Sequence, residues 1–167
     1  MLKLMKKFIL LSLMLLFLAG CASVSRYTAF PAVRPATGGR VFIYDPKSHA
    51  WAAYDEQGRR ANSGRATGGK LYCPDVGRPC KTVVGRYRIL SKGNETCKSS
   101  KYPVKTRGGA PMPYCMLFHP KGYAIHGTAH VPDALNSHGC IGVSVADARW
   151  LSGFLHIGSA VIVRPYA

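Results

Sequence analysis

The chain has 167 residues, room for one domain and hardly for two. Apolar residues make up 47% of it, which excludes global disorder, and a single long apolar run excludes a polytopic membrane protein. Lys and Arg number 23 against 7 Asp and Glu, a formal charge of +16 that calls for an anionic partner: nucleic acid, a lipid or glycan surface, or an acidic substrate.

Lys3, Lys6 and Lys7 precede a mostly apolar run at 8–18, about half of the ~20 residues that a bilayer-spanning helix needs. A basic start, a short apolar centre and small residues behind it have the layout of a secretory signal. The end of the segment, Leu18-Ala19-Gly20-Cys21, resembles a bacterial lipoprotein box. That resemblance implies that 1–20 is a signal peptide and that Cys21 is acylated and becomes the first mature residue. The alternatives are an ordinary cleaved signal or a short anchor helix. Removing 1–20 takes away three lysines and no acid, so +13 remains on the other 147 residues. Residues 21–39, with Pro31, Pro35, Gly38 and Gly39, show little apolar periodicity and are expected to form a lipid-anchored linker. A single domain is expected at 40–167.

From residue 40 the pattern is strand-like. The run 40–44 is β-rich and closed by Asp45-Pro46; 50–54 follows, closed by 55–58, and the two suggest a hairpin. A short strand is expected within 64–69, ending at a glycine pair. Residues 82–90 alternate in their second half and read as a strand. Two more strands, 114–118 and 122–126, flank His119-Pro120-Lys121. One helix is predicted at 145–155. Ser144 is placed to cap it by accepting from the backbone N–H near Asp147, whose carboxylate suits a helix N-terminus. This helix would bury Ala148, Leu151 and either Phe154 or Leu155. A last strand is expected at 159–163. Many short strands, one late helix and no βαβ alternation predict a mainly β fold, a β-sandwich.

Export implies an oxidising compartment, so the cysteines are counted as potential disulfides. With Cys21 assigned to lipid, five remain: Cys73, Cys80, Cys97, Cys115 and Cys140. An odd number points to one free thiol. Cys73 and Cys80 bound a polar Pro/Gly-rich segment, Cys97 lies in a Lys/Ser-rich loop, and Cys115 precedes an apolar run. These four read as staples in one of three pairings. Cys73–Cys80 with Cys97–Cys115 is the favoured one; four reduced cysteines that merely pack is the other reading. Cys140 stands apart.

Its surroundings are Ile125-His126-Gly127-Thr128-Ala129-His130 and Ser137-His138-Gly139-Cys140-Ile141-Gly142. A Cys with His residues at hand is the minimum for a thiol nucleophile, because a free thiol with a pKa of about 8.5 needs a base or a cation to raise its thiolate fraction. A glycine just before the nucleophile allows close backbone approach, and the exposed N–H groups could hold an oxyanion during acyl transfer. Two other readings compete. His126, His130, His138 and Cys140 could ligate zinc, although the spacing is no finger pattern. Cys140 could also simply be packed in the interior.

The pair His126-Gly127-Thr128 and Ser137-His138-Gly139-Cys140 resembles the signature of the L,D-transpeptidase catalytic domain (the YkuD type). The likeness extends to Gly64-Arg65-Ala66-Thr67-Gly68-Gly69-Lys70, similar to a small-residue run ending in Gly-Lys, and to 82–89, similar to a Thr-Pro-x-Gly-x-Phe/Tyr-x-Ile stretch. It covers about 40–164. The resemblance implies an L,D-transpeptidase-like β-sandwich with its helix after the nucleophile turn. It also implies a cysteine-dependent acyltransferase acting on peptidoglycan stem peptides. Cys140 would attack the third residue of the stem, expel the fourth and pass the acyl group from a thioester to an amine. His126 becomes the base, a choice that spacing alone could not make, and the Gly127 carbonyl would orient its ring. The N–H groups around His138, Gly139 and Cys140 would form the oxyanion hole, with Ser137 and His138 shaping the pocket. No cofactor and no metal is implied.

Two departures stand out. Only ten residues separate His126 from Ser137. Gly142 occupies a position where the family commonly has Arg or Asn, which puts the acceptor and even activity in question. A carboxypeptidase or endopeptidase on the same site, and a non-catalytic wall-binding lipoprotein, therefore stay open. Eight basic residues between Lys81 and Arg107 face one acid, Glu95. They read as a solvated face or as an attraction for stem-peptide carboxylates and anionic envelope polymers. Nucleic acid is excluded as a partner, since export removes it and aromatics are not interleaved with the charges. The expected protein is a monomeric periplasmic or cell-envelope lipoprotein held to the membrane by its lipid, at the outer rather than the inner membrane.

Overall fold

The computed structural model describes residues 29–166; the signal segment 1–20 and Cys21 lie outside the described residues. Two mixed sheets and one helix enclose the core. The first sheet has the order β3-β2-β1-β9-β4, with β1 Val41–Asp45, β2 Ala50–Tyr54, β3 Arg60–Arg65, β4 Gly85–Arg88 and β9 Ala160–Val163. The second has the order β5-β6-β7-β8, with β5 Ser91–Lys92, β6 Met116–His119, β7 Tyr123–Thr128 and β8 Ile141–Ser144. The described residues form the predicted mainly β sandwich with a single late helix.

The β1–β2 hairpin follows the predicted runs closely. Its turn is set by Asp45, whose Oδ1 accepts the Lys47 N–H at 2.9 Å, a local bond that reverses the chain. Both strands are buried on both faces. Phe42, Tyr44, Trp51 and Ala53 point into the main core, while Val41, Ile43, Ala50, Ala52 and Tyr54 form a second cluster on the outer side. Phe30 covers that cluster and is only 2% exposed. The Tyr54 hydroxyl donates to Pro31 O at 2.9 Å, and the Arg164 guanidinium donates to Ala29 O at 3.0 Å. The segment expected as linker is thus docked over its described part, from residue 29, because β1 and β2 have apolar residues on both faces and something must cover the outer one.

Three strand expectations are corrected. β3 is Arg60–Arg65 rather than a strand inside 64–69. Its polar, half-exposed residues carry no alternation, and it is held at the sheet edge by backbone pairing to β2. Beyond it, Thr67 and Gly69 make single bridges to Gly142 and Ser137. The expected strand 82–90 is divided. Ile89 N–H donates to Ser159 O beside the first sheet, and Leu90 N–H donates to Leu117 O in the second, so the chain changes sheets there before β5. The 114–118 strand begins two residues later, as β6.

The helix, α1 (Val145–Phe154), follows β8 without a linker. Ser144 Oγ accepts the Asp147 N–H at 3.0 Å, the predicted cap. At the other end Lys92 Nζ donates to Ser152 O and Leu155 O, placing a cation at the negative end of the helix dipole. Ala148, Leu151 and Leu155 are buried against Phe42, Trp51, Ile125, Ile141 and Val143. This packing holds β7 and β8, which carry the candidate site.

Candidate active site

His126 lies on β7, and Cys140 lies one residue before β8. The two strands run parallel, with His126 opposite Gly142 and Ile125 opposite Ile141. Cys140, two residues before Gly142, therefore shares its sheet face with His126, while Ile125, Ile141 and Val143 point to the core. The parallel register thus puts two residues fourteen positions apart on one face.

His126 Nδ1 lies 2.8 Å from Gly127 O. A carbonyl can only accept, so Nδ1 carries the proton and Nε2 of the neutral ring is left as an acceptor. Burial pushes the His126 pKa down, with the Gly127 bond opposing it. Burial pushes the Cys140 thiol up, partly offset by a hydrogen bond from the Ala124 N–H. Cys140 Sγ also lies 3.8 Å from Gly122 O. Both shifts favour the neutral forms, a thiol at Cys140 and an imidazole at His126. Gly127 itself is a packing requirement, since a Cβ there would meet the Val145 backbone and Pro113 at 3.0 Å.

The turn before the thiol is tied to itself. Ser137 Oγ donates to Cys140 O at 2.5 Å and accepts the Gly139 N–H at 3.0 Å. Gly139 has φ +128, and a Cβ on it would collide with the Tyr123 ring, so the position requires glycine. Of the three N–H groups expected to face an oxyanion, that of Gly139 is committed to Ser137. Those of His138 and Cys140 have no acceptor among the described residues. The small-residue run supports the turn from below: Lys70 N–H donates to Ser137 O at 2.9 Å, and Ser137 N–H to Gly68 O at 2.9 Å. A Cβ on Gly68 or Gly69 would strike the Tyr44 side chain or the Cys80 carbonyl.

His138 is held by two residues from outside this turn. Its Nε2 lies 2.7 Å from Asp75 Oδ2, and its ring stacks on Tyr102 with centroids 4.1 Å apart. Asp75 sits in the loop closed by Cys73–Cys80, and Tyr102 in the loop closed by Cys97–Cys115. Cys140 is the free cysteine among the described residues. Neither Asp75 nor Tyr102 was found by sequence reasoning. The available signal was a lone acid in a Cys-bounded loop of a strongly basic chain. Cys73, Asp75 and His138 lie close enough to suggest a metal, but the Cys73 sulfur is in a disulfide and is no thiolate ligand. His130 is exposed on the loop after β7, and its carbonyl accepts from Thr128 Oγ1 at 3.1 Å.

At Gly142 the space that a side chain would enter is bounded by Thr67 Cγ2 at 3.0 Å and Thr128 Cγ2 at 3.3 Å. Thr67 Oγ1 donates to Ala134 O at 2.6 Å and accepts the Asn136 N–H at 3.0 Å, which pins the short loop between His126 and Ser137. Arg65 holds the same loop through Val131 O and Asp133.

Solved structures share this arrangement of sheets. An L,D-transpeptidase from Xylanimonas cellulosilytica superposes with a TM-score of 0.65 at 25% identity, covering 81% of this chain and 65% of that one. L,D-transpeptidase 3 from Mycobacterium tuberculosis, solved with a faropenem-derived adduct, superposes with a TM-score of 0.62 at 24% identity, covering 76% and 60%. In sequence the chain is 33% identical over 99 residues to a probable L,D-transpeptidase 3 of Mycobacterium tuberculosis, 53% of this chain and 36% of that protein. The chain thus spans about a third of that relative's length. The model of the L,D-transpeptidase catalytic domain matches residues 39–163, from just before β1 to the end of β9 and through the whole His126–Cys140 segment. With most of its length matched in this way, the chain belongs to the L,D-transpeptidase catalytic domain family (the YkuD type).

Proposed function

We propose that the protein is a peptidoglycan L,D-transpeptidase that works through a Cys140 thioester. The observation that carries the reading is the His126 Nδ1–Gly127 O bond, which leaves Nε2 as a base on the sheet face that carries Cys140. Cys140 Sγ adds to the carbonyl carbon of the third stem residue while His126 Nε2 takes the thiol proton. The N–H groups of His138 and Cys140 receive the oxyanion. The carbon–nitrogen bond to the fourth residue, D-Ala, breaks as His126 returns the proton to the leaving amine, and a thioester remains. An amine of a second stem peptide then attacks. Its proton goes to His126, the carbon–sulfur bond breaks, and the thiol is restored.

Gly142 supports a second reading on the same acyl-enzyme. Without the Arg or Asn side chain common there, and with two threonine methyls at the site, water replaces the amine and the protein trims stems or cuts cross-links. The peptidoglycan substrate places the protein outside the cytoplasm. The lipobox-like Leu18-Ala19-Gly20-Cys21 supports a membrane anchor through a lipid on Cys21, with Ala22 after it favouring the outer membrane. No helix among the described residues is long and apolar enough to cross a membrane.

Incubation with a tetrapeptide stem or a carbapenem should add an acyl mass to the Cys140 peptide, and Cys140→Ala should abolish it. An unmodified Cys140 with both reagents sinks the proposal. Cross-linked dimers identify transfer to an amine, and trimmed monomers identify hydrolysis.

A further inference from the structure

Asp75 is an acid in a surface loop of a basic chain, and the mechanism above makes no use of it. Its carboxylate is nevertheless bonded to the residue two positions before the candidate nucleophile, at 2.7 Å from His138 Nε2. The His138 ring is held from its other side by the stack on Tyr102, and the Tyr102 hydroxyl accepts from Arg78 at 3.2 Å. Arg78 lies in the same Cys73–Cys80 loop as Asp75. The loops closed by the two disulfides therefore meet on one imidazole. The bond is charge-assisted, since the Asp75 carboxyl is held below the usual carboxylate range chiefly by His138.

What this clamp would fix follows from the turn. Ser137 Oγ already occupies the Gly139 N–H, so the N–H groups left for an oxyanion belong to His138 and Cys140. The direction of the His138 N–H depends on the plane of the 137–138 peptide. A side chain anchored at both its face and its tip restricts rotation of the backbone that carries it. We infer that Asp75 is a positioning residue: acting through His138, it aims the His138 N–H at the oxyanion that forms when Cys140 attacks an acyl group. The inference rests on Cys140 being an acyl-transfer nucleophile, as proposed above.

The prediction separates two kinds of thiol reaction. Attack on an acyl carbon develops an oxyanion; displacement of iodide from iodoacetamide does not. In the full-length chain, acylation of the Cys140 peptide by p-nitrophenyl acetate and its alkylation by iodoacetamide are both followed by mass spectrometry. In the acylation the carbon–sulfur bond forms, the carbon–oxygen bond breaks and nitrophenolate leaves. Loss of a whole oxyanion donor costs about 10²–10³-fold, so a misaimed one should cost about tenfold. Asp75→Ala should slow acylation about tenfold and leave alkylation within about twofold. Asp75→Asn still accepts from His138 and should recover most of the rate. Asp75→Ala in a His138→Ala background should slow acylation no further. The inference is overturned by an unchanged acylation rate in Asp75→Ala, by acylation and alkylation falling together, by additive losses in the double variant, or by a wild-type Cys140 that the ester does not acylate. Ester acylation without any turnover of a tetrapeptide stem removes the peptidoglycan reading and leaves the Asp75 comparison to be decided on the ester.

Discussion

Cys140 and His126 are each pushed by burial toward their neutral forms. In the proposed mechanism these directions favour a start from thiol and imidazole over an ion pair, with the proton moving as the thiol attacks. The expected pH profile of acylation is a plateau through neutrality. Its acid limb should lie below the ordinary imidazole pKa of about 6.5, and its alkaline limit above the ordinary thiol pKa of about 8.5. Ultraviolet titration should show no thiolate at neutral pH; thiolate absorbance there would count against this account. His126→Ala should slow acylation by about 10²–10⁴-fold. The same shift links His126 to stability. Its folded pKa is lowered, so as pH falls below about 6.5 the unfolded chain takes up the proton first and stability drops. Urea denaturation at about pH 7 and about pH 5 should show this loss, and His126→Gln should reduce it.

The turn before Cys140 and the helix behind it are held by short, local devices. Gly139 combines φ +128 with a Tyr123 ring where its Cβ would be. Gly139→Ala should destabilise the protein by about 1–3 kcal/mol and impair acylation. Adding Tyr123→Ala should recover part of the stability, because it removes the collision and leaves the backbone strain. Ser144→Ala removes the acceptor for the Asp147 N–H at the start of α1 and should cost about 1 kcal/mol in urea denaturation. The Ser144 cap was legible in the sequence because its acceptor and donor lie three residues apart. The Lys92 bonds at the other end of α1 were not, since that lysine arrives from a strand about sixty residues earlier.

Across the whole molecule, stability depends on covering both faces of β1 and β2. Phe30 seals the outer cluster, in a segment that reads as tether by composition. Phe30→Ala should cost about 3–5 kcal/mol and shift the thermal midpoint down. If 29–36 were a free linker, the substitution would be silent. The Cys97–Cys115 link closes a segment with a sequence separation of 18 and carries Tyr102 to His138. Cys97→Ala with Cys115→Ala should lose about 3 kcal/mol.

By itself the sequence determined the features whose causes are local. Short β-rich apolar runs, bounded at β1 and β2 by turn residues, specify β1, β2, β7 and β9 to within two residues, and a capping residue specifies the start of α1. The odd cysteine and the run from His126 to Cys140 point to the chemistry. The tertiary structure decided what depends on distant partners. β3 is a strand because β2 offers it an edge, not because its polar residues prefer one. The expected strand over 82–90 is divided because its backbone finds partners first in one sheet and then in the other. His126 and Cys140 share a face because β7 and β8 pair in parallel, a register that no pattern within either segment encodes. Asp75 meets His138 across 63 positions, and only the folding of two disulfide-closed loops onto one turn brings them together.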